Sequence, residues 1–264
     1  YSENGVRFLS TRTIGYNNID LVAAKELGIK VCNAAYPPNG VADFTVMMIL
    51  MCLRQYKQAL WRGQVNDFSL QGLQGRDMNE LTIGVMGTGR IGLQVLKNLS
   101  GFGCRLLAYD IYKNPEAEKL ATYVDQDTIY KECDVISLHM PLFDSTYHII
   151  NHETIAKMKD GVILINCARG GLTDIDALVD GVESEKIGAL GMDTVEGEEG
   201  IVHEDRRTDI ISNRTWFYHQ FRNVIMTQHM AFYTKEAVES MVRCGVEGIV
   251  QMEKTGSCST MLTK

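Results

Sequence analysis

Four polar residues follow apolar, strand-like runs in the second half of the chain: Arg169, Asp193, Glu198 and His229. In an open parallel sheet, ligands bind at the carboxyl ends of the strands, so such side chains can meet around one ligand. A guanidinium fork binds a carboxylate, and an imidazole is the usual proton donor near neutral pH. A carboxylate on the second imidazole nitrogen favours the charged ring. Arg169, His229 and Glu198 in these roles suit hydride reduction of a 2-oxo acid.

Each of these residues also has a purely structural interpretation. Arg169 lies in a predicted turn, and its side chain could have no role other than stabilising that turn. His229 could be an ordinary core or surface histidine, and Glu198 belongs to an acidic run that could be simply solvated. Because the candidates follow three successive strand-like runs, the shared catalytic interpretation is favoured.

A glycine-rich turn supplies a candidate dinucleotide site. The hexapeptide Gly87-Thr88-Gly89-Arg90-Ile91-Gly92 reads G-x-G-x-x-G and stands between an apolar run and a helical pattern. In that context the glycines allow a tight turn, close approach of a pyrophosphate and close helix packing, and N–H groups at the helix start hold the anion. Asp110 closes the next strand, where a carboxylate bonds ribose hydroxyls and repels a 2′-phosphate, which favours NAD over NADP. The alternative is a tight turn that binds no ligand.

The elements that must position these residues follow an α/β pattern. From residue 81 onward, short apolar runs alternate with amphipathic helical stretches, which predicts a doubly wound parallel sheet of the Rossmann type. The predicted strands are 81–86, 105–109, 134–140, 162–166, 188–195 and 223–227. The predicted helices between them are 90–99, 127–132, 152–158 and 174–182.

A smaller set of elements flanks this region. Strands are predicted near 6–11 and over 29–34, with a helix over 20–27 that Asp20 caps and Gly28 ends. A C-terminal helix is predicted over 234–252.

Two longer segments stand out between these elements. Two prolines, at 37 and 38, precede a long helix predicted over 41–64. Its apolar side, expected to pack on a neighbouring domain or subunit, consists of Val41, Phe44, Met47, Met48 and Met51. The segment 196–222 is polar and irregular, and long loops of this kind often border active sites in α/β proteins.

Composition disfavours several classes of protein. The chain has 264 residues, of which 45% are hydrophobic and 22% charged, as in a soluble globular protein. A formal net charge of −7 disfavours a nucleic-acid partner, and the longest dense apolar run, 44–53, is too short to cross a membrane. The seven cysteines are scattered without a Cys-x-x-Cys pair, which favours a reducing cytoplasm over a disulfide framework or a structural zinc site.

A metal-dependent enzyme is a further alternative. His148 and His152 have helical i, i+4 spacing, and the tripeptide His203-Glu204-Asp205 also carries metal-ligating side chains. Neither set has a convincing third ligand, so no metal site is predicted.

The motifs together resemble the D-isomer-specific 2-hydroxyacid dehydrogenases, and within them the D-lactate dehydrogenase branch that includes the vancomycin-resistance lactate dehydrogenases. The resemblance spans nearly the whole chain in the family's order. The matching stretches are STRTIGYNNID (10–20), VADFT (41–45), GTGRIG (87–92), NCARGGLTD (166–174), GMDTVEGE (191–198) and HMAFYT (229–234).

This resemblance implies an NAD-dependent enzyme that reduces a small 2-oxo acid, with pyruvate to D-lactate as the first expectation. It implies that Arg169 binds the substrate carboxylate, that His229 is the acid/base and that Glu198 pairs with His229. Tyr36 matches a tyrosine that contacts substrate. The residues implied to line the cofactor, besides the glycine turn and Asp110, are His139, Met140, Pro141, Cys167, Ala168 and Asp193.

The resemblance also implies a domain organisation and an assembly. Residues 37–229 are expected to form the NAD-binding domain, and 1–36 with 230–264 a substrate domain. The substrate domain is expected to be incomplete at its amino end, because family members carry a further segment there. A homodimer is expected through the helix near 41–64. Gln228 departs from the Thr-Pro-His that commonly contains the family's catalytic histidine.

The main rival is a non-enzymatic NAD-sensing protein on the same scaffold, similar to the dehydrogenase-related transcriptional co-repressors. Such proteins can keep the arginine, the glutamate and the histidine. The extended loop near 199–222 favours the enzyme.

Overall fold

The computed structural model describes residues 1–16, 18–207 and 220–263. Much of the irregular segment predicted over 196–222 therefore lies outside the described residues. The chain forms two compact units, Val41–Ala231 and a smaller one made of Tyr1–Gly40 and Phe232–Lys264. Within the described residues, no helix is both long and apolar enough to cross a membrane.

Strands and helices are numbered here in chain order. The strands are β1 (Phe8–Ser10), β2 (Lys30–Cys32), β3 (Thr82–Met86), β4 (Arg105–Tyr109), β5 (Thr122–Tyr123), β6 (Val135–Leu138), β7 (Val162–Asn166), β8 (Ile187–Met192) and β9 (Val224–Met226). The α-helices are α1 (Leu21–Glu26), α2 (Asn39–Leu53), α3 (Tyr56–Gln64), α4 (Arg90–Ser100), α5 (Pro115–Glu118), α6 (Gln126–Glu132), α7 (His152–Lys157), α8 (Ile175–Glu183) and α9 (Lys235–Thr255).

The larger unit is built on a parallel sheet whose strands run in the order β5-β4-β3-β6-β7-β8-β9 among the described residues. Every residue of β6 and β7 is buried, as expected for strands covered on both faces. The strand order reverses between β3 and β6, so the loops that leave these two strands diverge and open a crevice. The predicted doubly wound sheet is confirmed, and its crevice lies at the glycine turn that follows β3.

The predicted long helix over 41–64 is wrong, because two helices occupy this region. Gln55, between α2 and α3, has a φ of 51°, and this left-handed conformation interrupts the helical hydrogen bonds. The carbonyl of Leu53 instead accepts the Arg76 N–H at 3.2 Å. The predicted apolar side does not share one environment either: Val41 and Met48 are buried, whereas Met47 is 41% exposed.

Other boundaries differ by a few residues for local reasons. The strands predicted over 134–140 and 188–195 end earlier, at Leu138 and Met192, where the chain turns into loops that continue to bond neighbouring strand ends. Strand β5 and helix α5 were not predicted. The strand has only two residues, and the helix is one turn that the Asn114 side chain caps by accepting the Glu116 N–H.

The smaller unit contains β1 and β2, which pair in parallel, with α1 between them in sequence. Asp20 caps α1, as predicted, by accepting the N–H groups of Val22 and Ala23. Helix α9 begins after its cap Thr234 and packs against both strands. Cys32 on β2 is buried there with Met252 and Cys258.

Asp134 joins the start of β6 to that of β3. Its carboxylate accepts the Thr82 N–H at 2.9 Å and lies 3.1 Å from Arg76 Nη2 and 3.3 Å from Lys159 Nζ. Burial raises the pKa of this carboxyl, but the hydrogen bonds from Thr82, Arg76 and Lys159 outweigh burial, and the pKa is lowered overall.

We therefore expect Asp134→Asn to lower the free energy of unfolding near neutral pH by about 1–3 kcal/mol, because charged hydrogen-bond partners lose their acceptor. The lowered pKa means that the ionised carboxylate stabilises the fold above its unfolded-state pKa. This stabilisation is lost as the pH falls through the folded-state pKa. Urea unfolding of both proteins should show the difference shrinking between about pH 6 and about pH 3.

Asp160→Asn serves as the control. Asp160 pairs with Lys186 at 2.7 Å but is 92% exposed, so its replacement should change stability by less than about 1 kcal/mol. If Asp134→Asn lowered the free energy of unfolding by the same amount across this pH range, the stabilising role given to the ionised Asp134 carboxylate would be contradicted.

Candidate active site

Three neighbouring strands bring the predicted catalytic residues to one edge of the sheet. Arg169 follows β7, Glu198 lies in the loop after β8, and His229 follows β9. Strands β7, β8 and β9 are adjacent and parallel, so their carboxyl ends lie side by side. The three loops are therefore neighbours in the order of their strands.

His229 and Glu198 are in direct contact. His229 Nδ1 lies 2.6 Å from Glu198 Oε1, and the other oxygen, Oε2, accepts the Val195 N–H at 2.8 Å. A carboxylate can only accept, so Nδ1 of the ring carries a proton, and Nε2 is the ring nitrogen that does not face Glu198. The Glu198 side chain is 14% exposed and that of His229 30%, so the pair is shielded but reachable.

The buried carboxylate of Asp193 holds the His229 loop from both sides. Its Oδ1 accepts the Thr227 hydroxyl at 2.6 Å and the Met230 N–H at 2.9 Å, and its Oδ2 accepts the Ala231 N–H at 2.9 Å. These bonds fix the backbone of His229, which has a φ of 53° in the left-handed region. The placement of Asp193 beside the cofactor, which the resemblance implies, stays a prediction; among the described residues, its carboxylate bonds the His229 loop.

Arg169 lies in a tight junction between the loops after β7 and β8. Its Nη1 donates to the Ala168 carbonyl at 2.6 Å, and a 3₁₀ turn, Gly170–Leu172, begins directly after it. A Cβ on Gly170 would lie 2.2 Å from the Val195 carbonyl carbon, so only glycine lets the two backbones meet here. The position of Arg169 therefore depends on the loop that carries Glu198.

Asn166 is a buried residue at this edge that the sequence analysis left without a role. Its Nδ2 donates to the Arg169 carbonyl at 2.8 Å, and its Oδ1 accepts the Ala168 N–H at 3.0 Å and the Thr194 hydroxyl at 3.3 Å. It thus ties the end of β7 to the end of β8. The only sign of this role in the sequence is a single amide side chain at the end of an otherwise apolar strand.

The glycine turn has the geometry that a dinucleotide requires. Gly87 has a φ of 96°, and a Cβ on Gly92 would lie 1.9 Å from the Gly87 carbonyl oxygen. A Cβ on Gly89 would have no atom of the described residues within 4 Å outside its chain neighbours and its own helix, so the backbone at the start of α4 is open there to a pyrophosphate.

Asp110 is fixed beside this turn by a chain of hydrogen bonds. Its Oδ2 accepts the N–H of Thr88 at 2.6 Å and the Thr88 hydroxyl at 3.1 Å, and its Oδ1 accepts the Tyr112 N–H at 3.1 Å. The Thr88 oxygen in turn accepts the Tyr123 hydroxyl at 2.6 Å, and the Tyr123 oxygen accepts the Asn114 N–H at 2.9 Å. Strand β5 thereby helps to hold the residue expected to bind the ribose.

The other residues that the resemblance assigns to the cofactor have different surroundings. His139 follows β6, and its backbone lies against Gly87. Its Nε2 lies 2.8 Å from the Ser137 hydroxyl oxygen, burial lowers its pKa to about 4, and Nδ1 is buried without a hydrogen-bond partner among the described residues. Met140 is buried, Pro141 exposed and Ala168 half-buried.

Cys167 and Tyr36 are the remaining residues to which the resemblance gives a role. Burial raises the pKa of the Cys167 thiol, whose side-chain partner is Thr45 of α2. Tyr36, expected to contact substrate, lies in the connection between β2 and α2 and belongs to the smaller unit.

The helical spacing suggested for His148 and His152 is wrong. Helix α7 begins at His152, and His148 precedes it with a φ of 49°. His148 contacts Glu196, whereas His152 contacts Asp180. Among residues 1–16, 18–207 and 220–263, no three His, Cys, Asp or Glu side chains converge as metal ligands.

Comparison with known proteins places this arrangement in a family. Residues 46–231 match the model of the D-isomer specific 2-hydroxyacid dehydrogenase NAD binding domain. The chain belongs to the D-isomer-specific 2-hydroxyacid dehydrogenases. Relatives named D-lactate dehydrogenase favour the enzyme over the NAD-sensing co-repressor: this is an NAD-dependent D-2-hydroxyacid dehydrogenase, and the glycine turn with Asp110 fits that cofactor.

Individual relatives match over nearly the whole chain. An aromatic 2-oxoacid reductase of Clostridium sporogenes is 46% identical over 257 residues, which cover 96% of this chain and 78% of that protein. The D-lactate dehydrogenase of Escherichia coli is 40% identical over 98% of this chain and 80% of its own. A structure of the Aquifex aeolicus D-lactate dehydrogenase complexed with NAD and lactic acid aligns with a TM-score of 0.89 at 35% identity, covering 98% of this chain and 80% of that one.

The hydrogen-bond chain at Asp110 predicts that Tyr123→Phe weakens NADH binding by about two- to tenfold, because one hydrogen bond that orients Thr88 and Asp110 is lost. Titration of NADH fluorescence with the protein measures this directly. Tyr130→Phe is the matched control, since its hydroxyl bonds the Ile149 carbonyl. Equal NADH affinity in Tyr123→Phe and wild type would show that Asp110 does not depend on Tyr123.

Proposed function

We propose that this dehydrogenase reduces small 2-oxo acids to D-2-hydroxy acids, with pyruvate to D-lactate as the first candidate reaction. The 2.6 Å contact of His229 Nδ1 with Glu198 Oε1, on a loop next to that of Arg169, is the observation that carries the proposal. The similarity to enzymes named D-lactate dehydrogenase supports the substrate class.

Each residue has a defined task in this proposal. Arg169 binds the substrate carboxylate with its guanidinium fork. NADH, held by the glycine turn and Asp110, supplies the hydride for the carbonyl carbon when bound. His229 gives the proton on Nε2 to the carbonyl oxygen, and Glu198 stabilises the imidazolium and orients the ring. Asp193 and Asn166 hold the loops that carry these groups.

The two compact units suggest a division of labour. The match to the NAD-binding domain model, 46–231, falls within the larger unit. We assign cofactor binding to that unit and the substrate domain to the smaller one, which contains Tyr36. All seven cysteines are free thiols, which supports a reducing, cytoplasmic location.

The function is tested by NADH oxidation with a panel of 2-oxo acids: pyruvate, 2-oxoisocaproate, phenylpyruvate and 3-phosphohydroxypyruvate. We expect turnover of pyruvate, with chiral analysis of the product giving the D-isomer. Faster turnover of phenylpyruvate would move the preference towards that of the aromatic 2-oxoacid reductase to which the chain is similar. No turnover of any of the four acids would refute the proposal.

The same assay separates the assigned roles. His229→Gln should lower kcat by about 10²–10⁴-fold, the usual contribution of a general acid. Arg169→Lys should raise KM for the oxo acid, because the charge remains but the bidentate fork is lost. Arg105→Lys is the control, since Arg105 makes an exposed surface pair with Glu132 and should leave both constants unchanged.

We also propose that the enzyme is a homodimer that buries an apolar groove of the larger unit. The groove encloses about 740 Å³, and Met47 and Phe102 are more than one-third exposed there. A polar rim accompanies them, where Asn98 Nδ2 donates to Asp43 Oδ1 at 2.7 Å. The groove is lined by Asp43, Val46, Met47, Leu50, Met51, Arg54, Tyr56, Asn98 and Phe102.

Size-exclusion chromatography with light scattering tests this assembly. The wild type should elute with twice the mass of the chain, and Met47→Glu should shift it towards the monomer, because a charge would be buried in an apolar contact. Val22→Glu, at a 70% exposed position of α1, should leave the mass unchanged. A monomeric wild type would rule out the dimer.

A further inference from the structure

A cluster of polar side chains lies beside the Arg169 turn and is not used in the reaction described above. It consists of Tyr147, His148, Asp174 and Glu196. His148 Nε2 lies 2.9 and 3.0 Å from the two carboxylate oxygens of Glu196, and His148 Nδ1 lies 4.0 Å from Asp174 Oδ2. The Tyr147 hydroxyl donates to Glu196 Oε1 at 2.9 Å, and its ring stacks on the imidazole with centroids 3.9 Å apart.

His148 touches the two loops that carry Arg169 and Glu198, one through its backbone and ring and the other through its ring alone. On one side, the backbone N–H of His148 donates to the Gly171 carbonyl at 2.9 Å, within the turn that follows Arg169, and the ring lies 4.0 Å from Asp174 just beyond that turn. On the other side, Glu196 precedes Glu198 by two residues in the loop after β8. Gly170 already brings these two backbones together, and the ring of His148 adds a second link between the same loops by lying between Glu196 and Asp174.

The backbone of His148 is held in an unfavourable conformation. Its φ of 49° lies in the left-handed region, which is unfavourable for a residue other than glycine. The Asn151 side chain stabilises it by donating to the His148 carbonyl at 2.9 Å. Such a conformation persists where surrounding contacts determine it, and it directs this imidazole between the two carboxylates.

We propose that His148 is a positioning residue of the dehydrogenase: through Glu196 and Asp174 it fixes the Arg169 loop against the Glu198 loop. The inference rests on the proposed function, which gives those two loops their roles. The ring stands between Glu196 and Asp174: Nε2 faces both oxygens of the Glu196 carboxylate, and Nδ1 lies 4.0 Å from the Asp174 carboxylate. Loss of the ring should let the loops shift apart without disturbing the glycine turn.

Kinetics of His148 variants test this role. His148→Ala should lower kcat/KM for the oxo acid by about tenfold, since small displacements of positioned groups cost about one to two orders of magnitude. The KM for NADH should change by less than about twofold, because the glycine turn and Asp110 follow β3 and β4 and make none of the His148 contacts. His148→Gln, which keeps a donor towards Glu196, should recover most of the loss.

Two further variants separate the imidazole from its backbone. His148→Gly relieves the left-handed strain but removes the ring, so it should be as impaired as His148→Ala. Glu196→Ala should cause a similar loss, and the double variant should be no worse than either single one, because both remove one contact. His152→Ala is the matched control, since His152 makes a 3.0 Å contact with Asp180 at an exposed site.

Hydrogen exchange followed by mass spectrometry tests the coupling without relying on turnover. In His148→Ala, hydrogen exchange should rise in the loop segments 168–173 and 195–199 and stay unchanged in the strands of the sheet. Unchanged exchange in both segments, restoration of activity by His148→Gly, or a general rise in exchange with a matching fall in Tm would each overturn the proposal. If the wild type reduces no oxo acid, the proposed function fails, and exchange alone decides whether His148 couples the loops.

Discussion

The site depends on a buried carboxylate at the end of β8. Asp193 is 1% exposed, and an ion in such a place is tolerated only when hydrogen bonds replace its lost hydration. The Thr227 hydroxyl and the N–H groups of Met230 and Ala231 supply those bonds. The same three bonds shape the loop around His229. The need to satisfy one buried charge therefore fixes the backbone of His229, whose imidazole contacts Glu198.

The residues proposed to bind the cofactor and those proposed to transfer the proton lie on different parts of the same sheet edge. The glycine turn, Asp110 and the His139 loop follow strands β3, β4 and β6, whereas Arg169, Glu198 and His229 follow β7, β8 and β9. Separate hydrogen-bond networks hold the two groups: Thr88 and Tyr123 beside Asp110, and Asn166 and Asp193 beside the catalytic loops. NADH affinity and turnover can therefore change independently.

The sequence was informative where one-dimensional patterns reflect physical constraints. Strands buried on both faces need continuous apolar runs, and a pyrophosphate turn needs glycines at fixed spacing, so the sheet and its crevice could be predicted. The break at Gln55 could not, because Gln55 has no intrinsic preference for the left-handed region and the Leu53 carbonyl is satisfied by the distant Arg76. Asn166 and Asp193 hold loops through bonds between separate strands, which no local spacing reveals.

The acidic run after β8 could be interpreted from sequence as simply solvated, but two of its carboxylates contact histidines. Its first and third residues, Glu196 and Glu198, contact two different imidazoles, His148 and His229, while Glu199 is exposed. Both imidazoles sit on left-handed backbones, with φ of 49° and 53°. One short loop thus holds two strained histidines, one facing the substrate's proposed position and the other facing the Arg169 turn. The Asp193 carboxylate and the Asn151 side chain hold these two backbones, and a carboxylate of the loop after β8 then contacts each ring. The geometry of this loop is therefore a constraint on both the proposed substrate binding and the proposed proton transfer.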